Sequence, residues 1–350
     1  MKKHLPMPFD GAASQRLRTE YVDNIATTTW YGMREQMFSD IWQITPLWDL
    51  LNEKGNIKQK MPVGRYFEIP ITIGKADQNQ KWFGRGDAFS EGEADLWTTL
   101  QYHRKNFGDN IVRYKDDEDK NKGKAQIHNY LKELVMNHQN TMVESLGQAC
   151  WAASPAPNAI NSLQTLFPND PTSGSIGGIT RANTTYLQHN ATDWSVGGAG
   201  GAYGTAAADL VLAMRTMMHD CSKKKSRGRM TPDIIITDQT TYELYEDIAF
   251  EKGTVEMKGN NGSQRSDLGF GNLTFKGAEM YWDPDCPDGR MYFLNSETIE
   301  FVYDPDNWME MTEWKTPHNR LDRMAQTYTT CNLVANNFNK NGVLYGIPNA

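Results

Sequence analysis

The residues with the most evident capacity for chemistry are three carboxylates, Asp283, Asp285 and Asp288, close together in the chain. Such oxygens could hold a hard cation, but a calcium loop starting at Asp283 needs an acidic residue at its twelfth position. Leu294 stands there, and Pro284 and Pro287 stiffen the segment, so a plain turn is expected. The histidines His4, His103, His128, His138, His189, His219 and His318 form no His-x-x-x-His pair beside a glutamate, the spacing that sets two imidazoles and a base on one helix face. Cys150, Cys221, Cys286 and Cys331 lie far apart with no Cys-x-x-Cys, which predicts free, mostly buried thiols. Gly174-Ser175-Ile176-Gly177-Gly178 misses the register of a nucleophile elbow. Gly197-Gly198-Ala199-Gly200-Gly201 lacks the Lys-Ser/Thr ending of a phosphate loop. No catalytic, cofactor-binding or metal-ligating residue is assigned, and no cofactor is expected.

The elements that would have to position any site are more legible. From Lys124 to Cys150, Ile127, Leu131, Leu134, Val135, Met142, Leu146 and Cys150 recur largely at three- and four-residue spacing, the mark of a long amphipathic helix. Leu17 to Leu51 carries a helical pattern interrupted at Pro46, which predicts one helix and then a shorter one. Arg65 to Ile73 and Leu96 to His103 are predicted as the strands of a long hairpin, joined by a polar, Gly-rich span. A two-stranded hairpin is marginal in water, so this one is expected to rest on another subunit. Trp82, Phe83 and Phe89 near its tip are the candidate contacts between subunits. Arg85-Gly86-Asp87 spells an adhesion tripeptide and is expected to be a turn.

A segment of small and polar residues, Ala152 to Ala202, marks a boundary. Beyond it Thr205 to His219 is predicted as a helix, Pro232 to Thr237 as a buried strand and Gln239 to Ala249 as a helix, an alternation of mixed α/β structure. Glu279 to Trp282 and Arg290 to Leu294 are expected to pair as a hairpin across the turn Asp283 to Gly289. Met324 to Val334 and Gly342 to Ile347 are expected as closing strands.

A chain of 350 residues suggests about two domains, and its aromatic content suits extensive packing or contacts. A net charge of −7 argues against sequence-independent nucleic-acid binding as the main task. The run Lys223 to Arg229 could touch phosphates but is expected to be a solvated loop. No apolar run approaches a membrane span and Met1 to Pro6 lacks a secretory apolar core, so a soluble protein made in the cytosol, with no membrane contact, is expected.

Ile176-Gly177-Gly178-Ile179-Thr180-Arg181-Ala182, with Tyr186 and Trp194 after it, resembles the Gly-Gly-Ile-Asp/Asn-Arg stretch of tailed-phage major capsid proteins, with Thr180 departing from the acidic or amide residue. The strand and helix of Pro232 to Tyr245 follow in the family's order. So do Leu268 to Gly277, the segment Met280 to Asn295 with its Asp-x-x-x-Pro-x-Gly and aromatic-Leu-Asn, and Ile299-Glu300-Phe301. The likeness covers about the C-terminal half; the N-terminal half agrees in the order of its elements. It implies the Hong Kong 97-type phage capsid fold, an α+β architecture with an N-terminal arm at 1–14, a peripheral helical segment at 15–61 and an extended loop at 62–114. A spine helix at 115–151, an axial α/β domain at 152–295 and closing peripheral strands at 296–350 would follow.

That resemblance also implies a function: pentamers and hexamers of this chain forming an icosahedral head, assembled in the host cytoplasm, around double-stranded DNA touched non-specifically on the inner face. A separate scaffolding protein, a portal and a decoration protein are the partners it implies. The rival expectations are an encapsulin-type compartment shell, an enzyme with a nonstandard site, and a receptor-binding virion protein.

Overall fold

A computed structural model describes residues 46–60, 64–72, 82–88, 97–116, 124–194, 207–223, 231–251 and 273–348. The expected N-terminal arm, the helical pattern before Pro46, the Gly-rich run 197–201, most of the basic run and Phe89 lie outside these residues.

In chain order the first elements are α1 (Pro46–Glu53), β1 (Ile57–Gln59), β2 (Tyr66–Thr72), β3 (Trp97–His103), β4 (Lys105–Arg113), α2 (Lys124–Trp151) and α3 (Leu163–Leu166). Next come β5 (Ser175–Ile176), β6 (Ile179–Thr180), β7 (Asn190–Asp193), α4 (Ala207–Lys223), β8 (Ile234–Thr237) and α5 (Gln239–Glu251). The chain closes with β9 (Leu273–Phe275), β10 (Ala278–Trp282), β11 (Arg290–Leu294), β12 (Ile299–Tyr303), β13 (Glu310–Met311), β14 (Arg323–Ala335) and β15 (Gly342–Tyr345). The mixture is α+β, as the resemblance implies. Two compact units divide it: a smaller one holds Phe107–Ser145 and Met309–Thr329, and a larger one holds Trp42–Asn106, Leu146–Trp308 and Thr330–Ala350.

The larger unit is organised by a six-stranded sheet in the order β7-β15-β11-β8-β10-β9. All four residues of β8 are buried, which fits the uninterrupted Ile234-Ile235-Ile236 run of a strand covered on both faces. β8 pairs parallel with β10, Met280 opposite Ile235, and antiparallel with β11, Phe293 opposite Ile235. The expected hairpin between β10 and β11 therefore does not form, because β8 lies between them. At about 4.8 Å per strand spacing the ends stand about 10 Å apart, and the turn from Asp283 to Gly289 spans that gap. Its first residue is pinned to β8 by the Asp283 amide donating to the Thr237 carbonyl. The hairpin that does form joins β9 to β10 through Lys276-Gly277, both at positive φ, the handedness that two-residue hairpins require. Gly342–Tyr345, expected as a closing strand, sits between β7 and β11. On this sheet α4 lays Leu210, Met214, Met217 and Cys221, packed with Ile235, Met280, Phe293 and Leu344.

The same unit holds a second layer in which β12 runs between β1 and the C-terminal half of β14, with Phe301 opposite Ile57 and Leu333. Phe301 meets the Trp48 ring of α1 edge-on at 4.3 Å, and Trp308 lies 6.0 Å away. α1 begins at Pro46, whose fixed φ suits a first helical turn, and buries Leu47, Trp48, Leu50 and Leu51.

In the smaller unit, β13 pairs with the N-terminal half of β14, Met311 opposite Thr327. Helix α2, whose residues up to Ser145 belong to this unit and the rest to the larger one, is 28 residues long, about 40 Å. Val135, His138, Met142, Leu146 and Cys150 are buried along it at three- and four-residue spacing. His138 is the polar member of that stripe. Its Nε2 lies 2.8 Å from Thr327 Oγ1 and its Nδ1 3.2 Å from the Asp109 carboxylate, tying helix to strands. Burial holds the His138 pKa below the ordinary histidine range, against the pull of Asp109.

Because the unfolded chain then takes up the proton first, near pH 6.5, stability is fully present above that pH and falls as pH drops toward the lower folded value. Thermal melting between pH 7 and 5 should show a steeper decline for the natural protein than for His138→Gln; parallel profiles would remove His138 as the cause.

Candidate functional site

Strands β2 and β3 pair without interruption from Tyr66 opposite His103 to Thr72 opposite Trp97. Alternation gives the ribbon two faces. Phe67, Ile69, Ile71, Leu100 and Tyr102 are buried, while Glu68, Pro70, Thr99 and Gln101 are exposed, with Trp97 among them. The sequence-based expectation that this ribbon rests on another subunit is corrected here for its base, whose apolar face is covered by its own chain.

The cover is the segment that carries the capsid resemblance. Between β5 and β6, Gly177 holds φ +55, and a Cβ there would come within 2.8 Å of Leu100. Only glycine permits that approach without strain, and it lets the Gly177 carbonyl accept from the Gln101 amide at 3.2 Å. From the other side the Tyr102 hydroxyl donates to the Ala335 carbonyl at 2.6 Å, and burial raises its pKa far above the ordinary range.

Arg181, at the end of the same segment, is 1 % exposed. Its Nη2 donates to the carbonyls of Thr165 and Leu166 at 2.9 and 2.7 Å, satisfying acceptors that the short helix α3 leaves open. Nη1 lies 3.3 Å from His189 Nδ1, and His189 Nε2 lies 2.6 Å from the Pro168 carbonyl. A carbonyl can only accept, so Nε2 carries the proton and Nδ1 is left to accept from Arg181. The guanidinium also packs over the Phe338 ring at 5.3 Å. Burial lowers the Arg181 pKa to about 10, which leaves it charged at neutral pH. Thr180, where the motif departs from the family, is exposed and outside this network.

In the segment between β2 and β3, Trp82 is 102 % exposed and Phe83 64 %. The turn beside them is closed by the Gly84 amide donating to Asp87 Oδ2 at 2.8 Å and the Asp87 amide donating back to the Gly84 carbonyl. Arg85-Gly86-Asp87 is thus the expected turn. Of the three candidate contact residues, Trp82 and Phe83 are exposed, and Phe89 lies outside the described residues. Fully burying an aromatic of this size is worth about 1.5–3 kcal/mol. A surface that covered both would gain appreciably.

Among the described residues, those with chemical potential do not converge on an accessible centre. Asp109, His138 and Thr327 line up as carboxylate, imidazole and hydroxyl, the order of a nucleophilic triad. Thr327 is 1 % exposed, however, so no substrate reaches its oxygen. Asp283 of the turn is buried as well, its Oδ1 accepting from the Asp285 amide and its carboxyl pushed up by burial. Among the described residues no group of three or more His, Cys, Asp and Glu side chains could hold a metal. Sequence spacing missed the His138 pin and the Tyr102–Ala335 contact, since their partners stand 189 and 233 positions away.

Gly177→Ala should lower stability by about 1–3 kcal/mol through strain and the clash with Leu100. Arg181→Met, which leaves the Thr165 and Leu166 carbonyls unpaired, should cost about 2 kcal/mol or more. Denaturant unfolding measures both, and changes within error would show the clamp to be dispensable.

No protein-family model and no curated protein sequence matches the chain. Among solved structures it is similar to the capsid subunit of cyanophage A-1(L), at 12% identity and a TM-score of 0.57, over 84% of this chain and 90% of that one. The capsid protein of a native GTA particle gives 10% identity and 0.56, over 84% and 89%. That of the Myoviridae phage XM1 gives 8% and 0.52, over 84% and 90%. Clamped hairpin, long helix and six-stranded sheet together are the Hong Kong 97-type fold of tailed-phage capsid proteins, and this chain has it.

Proposed function

We propose that this chain is the major capsid protein of a tailed phage, assembling with copies of itself into the pentamers and hexamers of an icosahedral head around double-stranded DNA. The observation that carries the proposal is the agreement of fold over 84% of the chain with capsid subunits of two phages and of a GTA particle. The exposed pair Trp82 and Phe83 supports it from the chain's own physics. Burial of the surface they expose against a neighbouring copy would be favourable.

On this reading the arm is 1–14, the peripheral helical segment 15–61, the extended loop 62–114, the spine helix 115–151, the axial domain 152–295 and the closing segment 296–350. The role is structural rather than catalytic, and the location is the virion, after assembly in the host cytoplasm. A separate scaffolding protein, a portal and a decoration protein are the further partners.

The double variant Trp82→Ser/Phe83→Ser tests this. Both positions are exposed, so folding stability should change by no more than about 0.5 kcal/mol per site. Size-exclusion chromatography with negative-stain microscopy should show capsomers, tubes or closed shells for the natural chain and unassembled subunits for the variant. Equal assembly by both would remove the tip from the interface, and a natural chain that stays monomeric even with its scaffolding protein would contradict the proposal.

A further inference from the structure

We propose that a cleft at the foot of the β2-β3 ribbon is a carboxylate-binding site that takes the acidic stretch Glu91-Gly92-Glu93-Ala94-Asp95 of a second copy of this chain. This inference rests on the proposed function and deepens it, adding a polar contact separate from Trp82 and Phe83. The cleft opens where the chain leaves β3 at His103 and enters β4 at Lys105. Its volume is about 510 Å³, and it is lined by His103, Arg104, Lys105, Asn106, Pro157 and Asn158, with no carboxylate among them. All six residues belong to the larger unit.

The polar groups of the cleft are held in place by their own chain. The Lys105 ammonium donates to the Pro157 carbonyl, which ties one wall to the other. Arg104 Nη2 lies 3.5 Å from Thr330 Oγ1 and 3.6 Å from the Asp304 carboxylate. Asp304 is 6% exposed and Arg104 36%, so the guanidinium faces the opening while its counter-charge lies beneath. Thr330 donates in turn to Asn106 Oδ1 at 2.8 Å, which leaves the Asn106 amide nitrogen as a donor. A guanidinium carries five N–H groups and an ammonium three, so these contacts leave donors over. A ligand that satisfies them brings negatively charged acceptors, and in a peptide those are carboxylates.

The chain carries such a peptide between the two strands of the same ribbon. From Gly86 to Tyr102 it has Asp87, Glu91, Glu93 and Asp95 and no lysine or arginine. Glu91, Glu93 and Asp95 alternate, so a peptide bound in extended form presents all three to one side. These acids cannot enter the cleft of their own copy together. Strand β3 sets Trp97 about 20 Å from His103, and the two residues between carry Asp95 no further than about 7 Å from Trp97. The occupant is therefore another copy. Cleft and acidic stretch are different surfaces of one subunit, so the contact is head-to-tail, the kind that closes into rings when the rotation between copies allows. Pentamers and hexamers are such rings.

The test exchanges the charges of the two surfaces in the full chain and measures the yield of capsomers and shells. Arg104→Gln/Lys105→Glu should lower the yield about tenfold or more, and Glu91→Lys/Glu93→Lys/Asp95→Lys should do the same. The five changes in one chain should restore most of it. The first variant makes the chain more acidic and the second less, so a fall in both does not come from net charge. Asp304 keeps its hydrogen bonds from the Asp306 amide and Asn307, so the cleft variant should fold, and melting curves check that. If it unfolds, Lys105→Glu alone decides, because the contact it loses is to a carbonyl. Natural yield from either variant, or no recovery in the folded exchanged chain, would overturn the proposal and leave the capsid reading intact. If the natural chain stays monomeric, the capsid reading fails, and a fluorescent peptide of residues 87–97 tests the cleft by itself. Binding that weakens about tenfold with Lys105→Glu would keep the carboxylate site, and no binding, or binding of duplex DNA in the peptide's place, would remove it.

Discussion

A two-stranded ribbon is marginal in water unless something packs against it, and here that something is the contact of Leu100 with Gly177. The glycine lacks the atom that would collide, so β3 comes close enough to exchange a backbone hydrogen bond with the turn between β5 and β6. Arg181 keeps that turn in place by satisfying carbonyls of α3 and by lending its charge to His189 and the Phe338 ring. The ribbon's inward face then closes over Phe67, Ile69 and Tyr102.

The six-stranded sheet depends on a different constraint. β8 is apolar at every position but its last and must be covered on both faces and both edges. It is accordingly flanked by β10 and β11, and the methionines of α4 fill the irregular space above it. Between its two layers the larger unit places the buried network of Asn295, Thr298 and Asn341. There the Asn341 side chain accepts from the Asn295 amide and donates to Thr298, joining the end of β11 to the start of β12 and to the turn before β15.

Much of this was legible in the sequence wherever a local period carries the information. The stripe of Val135, Met142, Leu146 and Cys150 gives α2, the alternation of Phe67, Ile69 and Ile71 gives β2, and the Ile234–Ile236 run gives a buried strand followed by a helix. What was not legible is set by pairing between distant segments. Strong turn residues from Asp283 to Gly289 suggest a hairpin, yet the same residues serve equally well to step over an intervening strand. Lys276-Gly277 hides the real hairpin because lysine is an uncommon residue at positive φ. Gly342–Tyr345 has the pattern of a closing strand but nothing in it states which sheet it joins. The exposed aromatics Trp82 and Phe83 were visible from residue types alone, while the pairs Lys58–Glu300 and Arg104–Asp304 were not, since their partners meet only once the layer is assembled.

The central claim is that the clamped ribbon offers Trp82 and Phe83 to a second copy of the chain. Electron cryomicroscopy of particles formed by the chain expressed alone tests it most directly. The account predicts closed shells or capsomers in which both side chains are buried against a neighbouring subunit while Leu100 stays seated on Gly177 of its own. Particles whose tips stand in solvent, or a ribbon released from its base to pair elsewhere, would contradict it.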